Sequence, residues 1–443
     1  MRLRPSSVSS VGAALTLAFN ESSKAMGGCG TGESLELTER VDPRRVIDDL
    51  ERLRELTGTP AGAQRVAWTP TWAQAREWLL SELSGLPVTV ALDEAGNLWA
   101  TLAGRDARSL VIGSHLDSVP DGGWLDGSLG VLAGLEVLRA FASGPTPQAT
   151  VQLVDWADEE GARFGRSLFG SSAAAGLLEP DIVGKLTDAD GVGLADAVAE
   201  YGVALERTPW ATRRLLDVAS YIELHIEQGP VLERAGLVLG VVEGVFGIER
   251  NRIRFDGQAA HAGSTPMDLR RDPIAAASRF VLEARRGAVD AGGVATVGEI
   301  GAEPGIPTAV PASATIVLDQ RHGDAEQLRR MLNEVRAASQ SISDEEGVSA
   351  RWSTLQSVSP VTFDPRLVTL AEQCASAIAG SCMRLPSGAL HDAAMLARAG
   401  VPTVMLFVQS IGGISHSRIE DSRRAHIEQG VAALELLARR LAV

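Results

Sequence analysis

Several of the seven histidines in this 443-residue chain stand beside acids or glycines at the ends of apolar runs. His115 and Asp117 lie in Ser-His-Leu-Asp-Ser, directly after the apolar run 109–112. Residues i and i+2 of an extended segment face the same side, so Asp117 could orient the imidazole while His115 binds a metal through its other nitrogen. Asp126 follows in Gly-Gly-Trp-Leu-Asp-Gly, where glycine lets the backbone approach a ligand closely. Glu159 and Glu160 belong to a carboxylate cluster that ends the apolar run 149–156, and adjacent carboxylates repel unless a cation joins them. His225 alternates with Glu223 and Glu227 opposite Ile222, Leu224 and Ile226, and His416 closes Gly412-Gly-Ile-Ser-His. Each of these has an ordinary alternative: a capped loop histidine, a helix N-cap, a solvated acidic loop, a half-exposed surface strand. Their joint pattern is a nitrogen and oxygen donor set for two borderline divalent cations. A bridging carboxylate would hold such a pair about 3.5–4 Å apart, the arrangement that activates water.

The elements that must position these groups read as α/β. Helical spacing runs over 42–56 and 71–83, strands over 88–92, 98–102, 109–112 and 149–156, and the segment 126–142 begins in a Gly-rich loop and becomes a helix. Strand, polar loop, helix, strand is the order that puts chemistry at strand C-terminal ends. From about residue 244 the order becomes β-α-β-β-α-β, which suits a small sheet with two helices on one face. After residue 364 the first pattern resumes and ends in a helix. The fold class expected is therefore α/β: a metal-binding domain with a mixed, helix-flanked sheet over 41–243 and 357–443, plus an inserted α+β, ferredoxin-like domain over 244–356. Residues 1–40 read as a disordered leader, whose polar run before Cys29 speaks against a signal peptide.

Composition narrows the partners. The net charge of −15 and the absence of a basic tract argue against nucleic acid. No stretch approaches the roughly 18 apolar residues of a membrane span. The three scattered cysteines fit a reducing cytoplasm.

Seven strings then carry a resemblance: Gly113-Ser-His-Leu-Asp-Ser-Val-Pro, Asp126-Gly, Glu159-Glu-Gly-Ala-Arg-Phe, Glu223-Leu-His-Ile-Glu-Gln-Gly-Pro, Ala260-His-Ala-Gly-Ser-Thr-Pro-Met, Arg321-His and Gly413-Ile-Ser-His. In this order the chain resembles the N-carbamoyl-L-amino-acid hydrolases and allantoate amidohydrolases (the hydantoinase/carbamoylase family) of the dinuclear-metal aminoacylase and carboxypeptidase superfamily. The resemblance implies two divalent ions per subunit (Zn, Mn, Co or Ni). One would be held by His115, Asp126 and His225, the other by Asp126, Glu160 and His416, with Asp126 bridging. It implies Glu159 as general base, Asp117 behind the ligands, His261 completing the catalytic site from a lid, and Gln228, His261 and Arg321 binding a substrate with a carboxylate. It also implies a homodimer formed through the inserted domain.

Two positions depart from the family pattern. Thr308 stands in Gly305-Ile-Pro-Thr-Ala-Val-Pro where a substrate-binding asparagine is expected, and Leu390 stands where a second glycine is usual. Threonine offers one hydroxyl in place of an amide's separate donor and acceptor. The expected activity is metal-dependent hydrolysis of a linear amide or ureido bond, with a substrate that has drifted toward a specialised amide. The alternatives are an aminoacylase or peptidase with the same metal centre, which His225 disfavours, and a non-catalytic binding homologue, which an intact Glu159 disfavours.

Overall fold

The computed structural model describes residues 41–443, so the leader expected over 1–40 lies outside the described residues. Helix α1 (Pro43–Thr57) starts where Asp42 accepts the Arg44 N–H, with Pro43 in the first turn, and it buries Val46, Ile47, Leu50 and Leu53. Thr69 opens α2 (Pro70–Leu83) in the same way. Strands β1 (Thr89–Leu92), β2 (Leu98–Leu102) and β3 (Asp106–His115) lead to α3 (Ser128–Ala142) and β4 (Ala149–Trp156). Short helical turns fill 169–215 before β5 (Val218–Ile226) and β6 (Leu239–Val245). Then come β7 (Gly247–Asp256), α4 (Pro273–Ala291), β8 (Val294–Glu303), β9 (Ser313–His322), α5 (Ala325–Glu346) and β10 (Ser349–Val358). The chain closes with α6 (Pro365–Ala379), β11 (Cys382–Ser387), α7 (Asp392–Arg398), β12 (Thr403–Val408) and α8 (Arg424–Leu441).

These elements form two compact units. The first runs to Val241 and takes in Thr369–Met383 and Arg398–Val443; the second is Val242–Val368 with Arg384–Ala397.

In the first unit the large sheet runs β6-β12-β5-β3-β4-β2-β1. Strands β12, β5, β3 and β4 are mutually parallel, and β2 and β1 pair antiparallel at one side. The parallel strands are buried on both faces, so they read as near-continuous apolar runs. Helix α3 packs on β3, β4 and β5 and against α1 and α8, which is why almost its whole circumference is buried. Strand β5 departs from the half-exposed alternative, because it lies inside the sheet with both faces covered. Its inward carboxylate, Glu223, is satisfied by the Ser114 hydroxyl at 2.8 Å and the Tyr221 hydroxyl at 3.0 Å. The 169–215 turns build a small core of their own around Trp68, Trp72, Phe169, Leu194 and Val198.

The second unit has the sheet order β8-β9-β7-β10, antiparallel throughout. Helices α4 and α5 cover one face, over a core of Ile253, Phe255, Phe280, Ile316, Leu318 and Val335. Strand β9 lies between β7 and β8, the split β-α-β arrangement. The other face carries Arg250, Asp319 and Arg321. The whole is a mixed α/β fold. Among the described residues Cys374 and Cys382 are free, and no helix is long and apolar enough to cross a membrane.

Candidate metal centre

The parallel strands deliver the chemistry. Because β12, β5, β3 and β4 run the same way, their C-terminal ends share one edge of the sheet. His115 is the last residue of β3, directly opposite Trp156 at the end of β4, and the Asp158–Glu160 turn comes directly after. His225 lies near the end of β5 opposite Phe407 of β12, and His416 lies in the turn beyond β12. Asp126 precedes α3. Gly127 beside it has φ +64°, and a Cβ there would sit 2.4 Å from His115 Cε1. Only glycine lets the imidazole lie against that turn.

Asp126 stands in the middle. Its Oδ1 is 3.1 Å from His225 Nε2 and 3.9 Å from His115 Nε2. Its Oδ2 is 3.3 Å from His416 Nε2, which is 3.4 Å from Glu160 Oε2. His115, Asp126 and His225 form one group able to hold a cation, with ligand atoms within 4.8 Å of one another, and Asp126, Glu160 and His416 form another. All but His416 are largely withdrawn from water. Glu159 Oε2 approaches His115 Nε2 to 3.7 Å.

The electrostatics suit a cation. Burial pushes the Glu160 carboxyl well above its usual range, helped by the charges of Asp126 and Asp117. Glu160 Oε1 is buried with no hydrogen-bond partner. A buried orphan oxygen beside two other acids is costly unless something positive meets it. Burial also opposes ionisation of Asp126, but the hydrogen bonds and charges of His225 and His416 outweigh it and hold that carboxyl well below the usual range. His225 is the converse: burial lowers it, yet Asp126 and Glu223 bring it up to about 9. His115 is pushed down to about 4 by burial, so it stays neutral and ready to ligate.

Asp117 does a different job from the one its spacing suggests. The His115 Nδ1 faces the Asp117 main-chain carbonyl at 3.0 Å, while the carboxylate lies 3.6 Å away. That carboxylate accepts the main-chain N–H groups of Glu159 and Glu160, both at 3.1 Å. It therefore fixes the acidic turn, and the backbone fixes the imidazole. Gln228 also turns inward: its Nε2 donates to Asp126 Oδ2 at 2.8 Å, and its Oε1 is buried without a partner.

Two supporting groups carry no signal in the sequence. Glu420 accepts the N–H groups of Leu125 and Asp126 at 3.0 and 3.1 Å. Gly123 makes room for it, since a Cβ there would meet Glu420 Oε1 at 1.9 Å. Arg65 is fully buried beneath the turns and donates to the Leu116 carbonyl at 2.7 Å and the Ser128 hydroxyl at 2.8 Å. Glu420 lies in a polar stretch and Arg65 among small and apolar residues, and no motif marks either of them.

The remaining expected residues belong to the second unit. His261 is exposed, and its Nδ1 accepts from the Gly263 and Ser264 N–H groups at 3.0 and 3.2 Å. Thr308 is exposed on the adjoining segment, its carbonyl accepting from Ala262 N at 2.9 Å. Arg321 is held by Asp319 at 2.8 Å and by the Gly388 carbonyl at 2.7 Å.

The model of peptidase family M20/M25/M40 matches residues 111–440, which include every group just described in the first unit except Arg65. The chain belongs to this family. An N-carbamoyl-L-amino acid amidohydrolase from Geobacillus stearothermophilus is 37% identical over 402 residues, covering 89% of this chain and 97% of that protein. An allantoate amidohydrolase from Escherichia coli K12 is 34% identical, covering 90% of this chain and 98% of its own. Among solved structures, an amidase of the hydantoinase/carbamoylase family from Burkholderia multivorans superposes with a TM-score of 0.84 at 33% identity, over 91% of this chain and 98% of that one. This M20-family chain is accordingly an amidohydrolase, an enzyme of carbon–nitrogen bonds other than peptide bonds.

Proposed function

We propose that the enzyme uses two divalent ions and cleaves the linear amide or ureido bond of a small substrate bearing a carboxylate. The observation that carries this reading is the position of Asp126, whose two oxygens face two separate ligand groups. His115 and His225 would hold one ion with Asp126 Oδ1; His416 and Glu160 would hold the other with Oδ2. A nitrogen and oxygen donor set without thiolate accommodates Zn, Mn, Co or Ni. When bound, such ions polarise a carbonyl and lower the pKa of water.

The protein's own groups do the rest. Glu159 takes the proton of the attacking water and returns it to the departing nitrogen. Asp117 keeps Glu159 in place through its main-chain N–H. His261, with Nδ1 accepting two N–H groups, carries its own proton on Nε2 and so offers a donor for the carbonyl oxygen as charge develops there. Arg321 receives the substrate carboxylate as a bidentate partner.

N-carbamoyl-L-amino acids and allantoate are the compounds named for the relatives, and Thr308 is the reason to look beyond them. Its single hydroxyl cannot replace both halves of an amide contact, so the substrate is assigned to a specialised amide. Turnover of N-carbamoyl-L-amino acids, allantoate, ureido acids and N-acyl amino acids by the metal-loaded enzyme tests this. If N-carbamoyl-L-amino acids prove the best substrates, the drift is wrong; if none is hydrolysed, the reading of the activity is wrong. The second unit also suits pairing between subunits, since its edge strand β8 exposes Val294 and Ile300. The free cysteines support a reducing, cytoplasmic setting.

A further inference from the structure

A cavity of about 510 Å³ opens on the helix-free face of the second unit, lined by Phe246, Arg250, Thr296, Val317, Asp319 and Arg321 among others. Three of these are charged and bonded to one another. Arg321 donates to both oxygens of Asp319, through Nε at 2.8 Å and Nη2 at 3.4 Å. Arg250, directly across the strand pair from Asp319, donates to Asp319 Oδ2 through Nε at 2.9 Å and Nη2 at 2.7 Å.

The arithmetic of charge matters here. An Arg321–Asp319 pair alone is a closed salt bridge with no net charge, and a poor receptor for an anion. A second guanidinium on the same carboxylate changes that, because one negative group now faces two positive ones. Burial would push the Asp319 carboxyl up, but the hydrogen bonds and charges of Arg321 and Arg250 hold it below its usual range, so it faces the two guanidinium groups as a carboxylate. Glu299, also on the lining, is exposed with no ion-pair contact among the described residues, and solvent screens it. Among the described residues nothing accepts from Arg250 Nη1, so donors remain on that side as well.

We infer that Arg250 is a positioning residue for substrate binding: by neutralising Asp319 it leaves the charge of Arg321 to an anionic substrate while Asp319 still aligns the guanidinium. The inference rests on the reading that the substrate carries a carboxylate held by Arg321. Asp319 thus serves as a rigid bracket whose own charge has been cancelled. The cavity selects a carboxylate over an isosteric carboxamide, and that preference depends on both arginines.

Calorimetric titration of the metal-loaded full chain carrying Glu159→Gln, with N-carbamoylglycine and with its carboxamide analogue, tests this. Arg250→Gln is expected to weaken binding of the acid about tenfold and leave the amide unchanged. Arg250→Gln combined with Asp319→Asn restores the net charge, so binding of the acid should recover to within about threefold of the parent. A purely structural role for Arg250 gives no such recovery. Undiminished binding of the acid by Arg250→Gln, or a double variant no better than the single one, overturns the inference. So does a parent enzyme that binds acid and amide alike. Arg321→Gln separates the two readings: if it leaves the preference for the acid intact while Arg250→Gln removes it, the clamp assigned to Arg321 is itself wrong and Arg250 binds the anion directly.

Discussion

Glu420 Oε1 accepts the main-chain N–H of Asp126 at 3.1 Å, so one buried carboxylate stands behind another. Ser415 joins them, its hydroxyl 3.0 Å from Asp126 Oδ2 and 2.9 Å from Glu420 Oε2. Burial, with the Asp126 charge, pushes Glu420 up to about 7. Its task is to accept hydrogen bonds, and an amide oxygen can do that too. Glu420→Gln should therefore bind metal within about threefold of the parent, whereas Glu420→Ala leaves two buried N–H groups unpaired and should lose about 10–100-fold. Competition with a chelator measures both. Equal affinities in the two variants would show that the 123–127 turn does not depend on Glu420.

As the proposed base, Glu159 would differ from the ligands in function and not in distance, its Oε2 lying 3.7 Å from His115 Nε2. Glu159→Gln removes the proton acceptor while keeping the side chain's shape, so kcat should fall by about 10²–10⁴ with metal per chain unchanged. Metal analysis and kinetics on the same preparation decide this. A variant with near-parent kcat would remove Glu159 as the base.

Metal loading should be coupled to protons in a stated direction. His225 is raised to about 9 by Asp126 and Glu223 against the effect of burial, so without metal it is protonated at neutral pH. A ligating imidazole must be neutral. Binding at pH 7 should therefore expel a proton, and apparent affinity should climb with pH until about 9 and then level off. Calorimetry in two buffers of different ionisation enthalpy counts the protons. No release at pH 7 would exclude His225 as a ligand.

The two glycines Gly127 and Gly165 both have positive φ, but only one is crowded. Gly165, at φ +71°, has nothing within 4 Å of a built Cβ, whereas Gly127 has His115 at 2.4 Å. Gly165→Ala should cost about 1 kcal/mol through backbone strain alone. Gly127→Ala should cost more, and should in addition displace the imidazole and weaken metal binding. A melting temperature and a metal titration on each variant separate backbone strain from the displaced ligand.

Much of the centre was legible because its residues come directly after apolar strands. His115, Glu160 and His416 are marked by the runs that precede them, and a parallel sheet gathers the loops leaving its strands at one edge. The α/β order and the β-α-β-β-α-β order were legible for the same reason, through periodicity. The hidden part depends on long-range packing. Glu420 acts only because Gly123 leaves a space for it, and Arg65 only because the turns around Leu116 and Ser128 close over it. Asp117 lies beside His115, yet its carboxylate points to a turn 42 residues further on, a choice that i, i+2 geometry does not reveal. The alternation in β5 was equally silent on whether its second face met water or protein.

The order in which the ligands occur along the chain has a consequence for biosynthesis. His115, Asp126 and His225 all precede the second unit, whereas His416 comes after it. The first three donors would need only the pairing of β3 with β5 and the turn before α3. The last cannot arrive until residues 242–368 have been made and β12 has been laid beside β5. If both groups hold ions as proposed, cation capture would be staged, and activation of water would wait for the final strand.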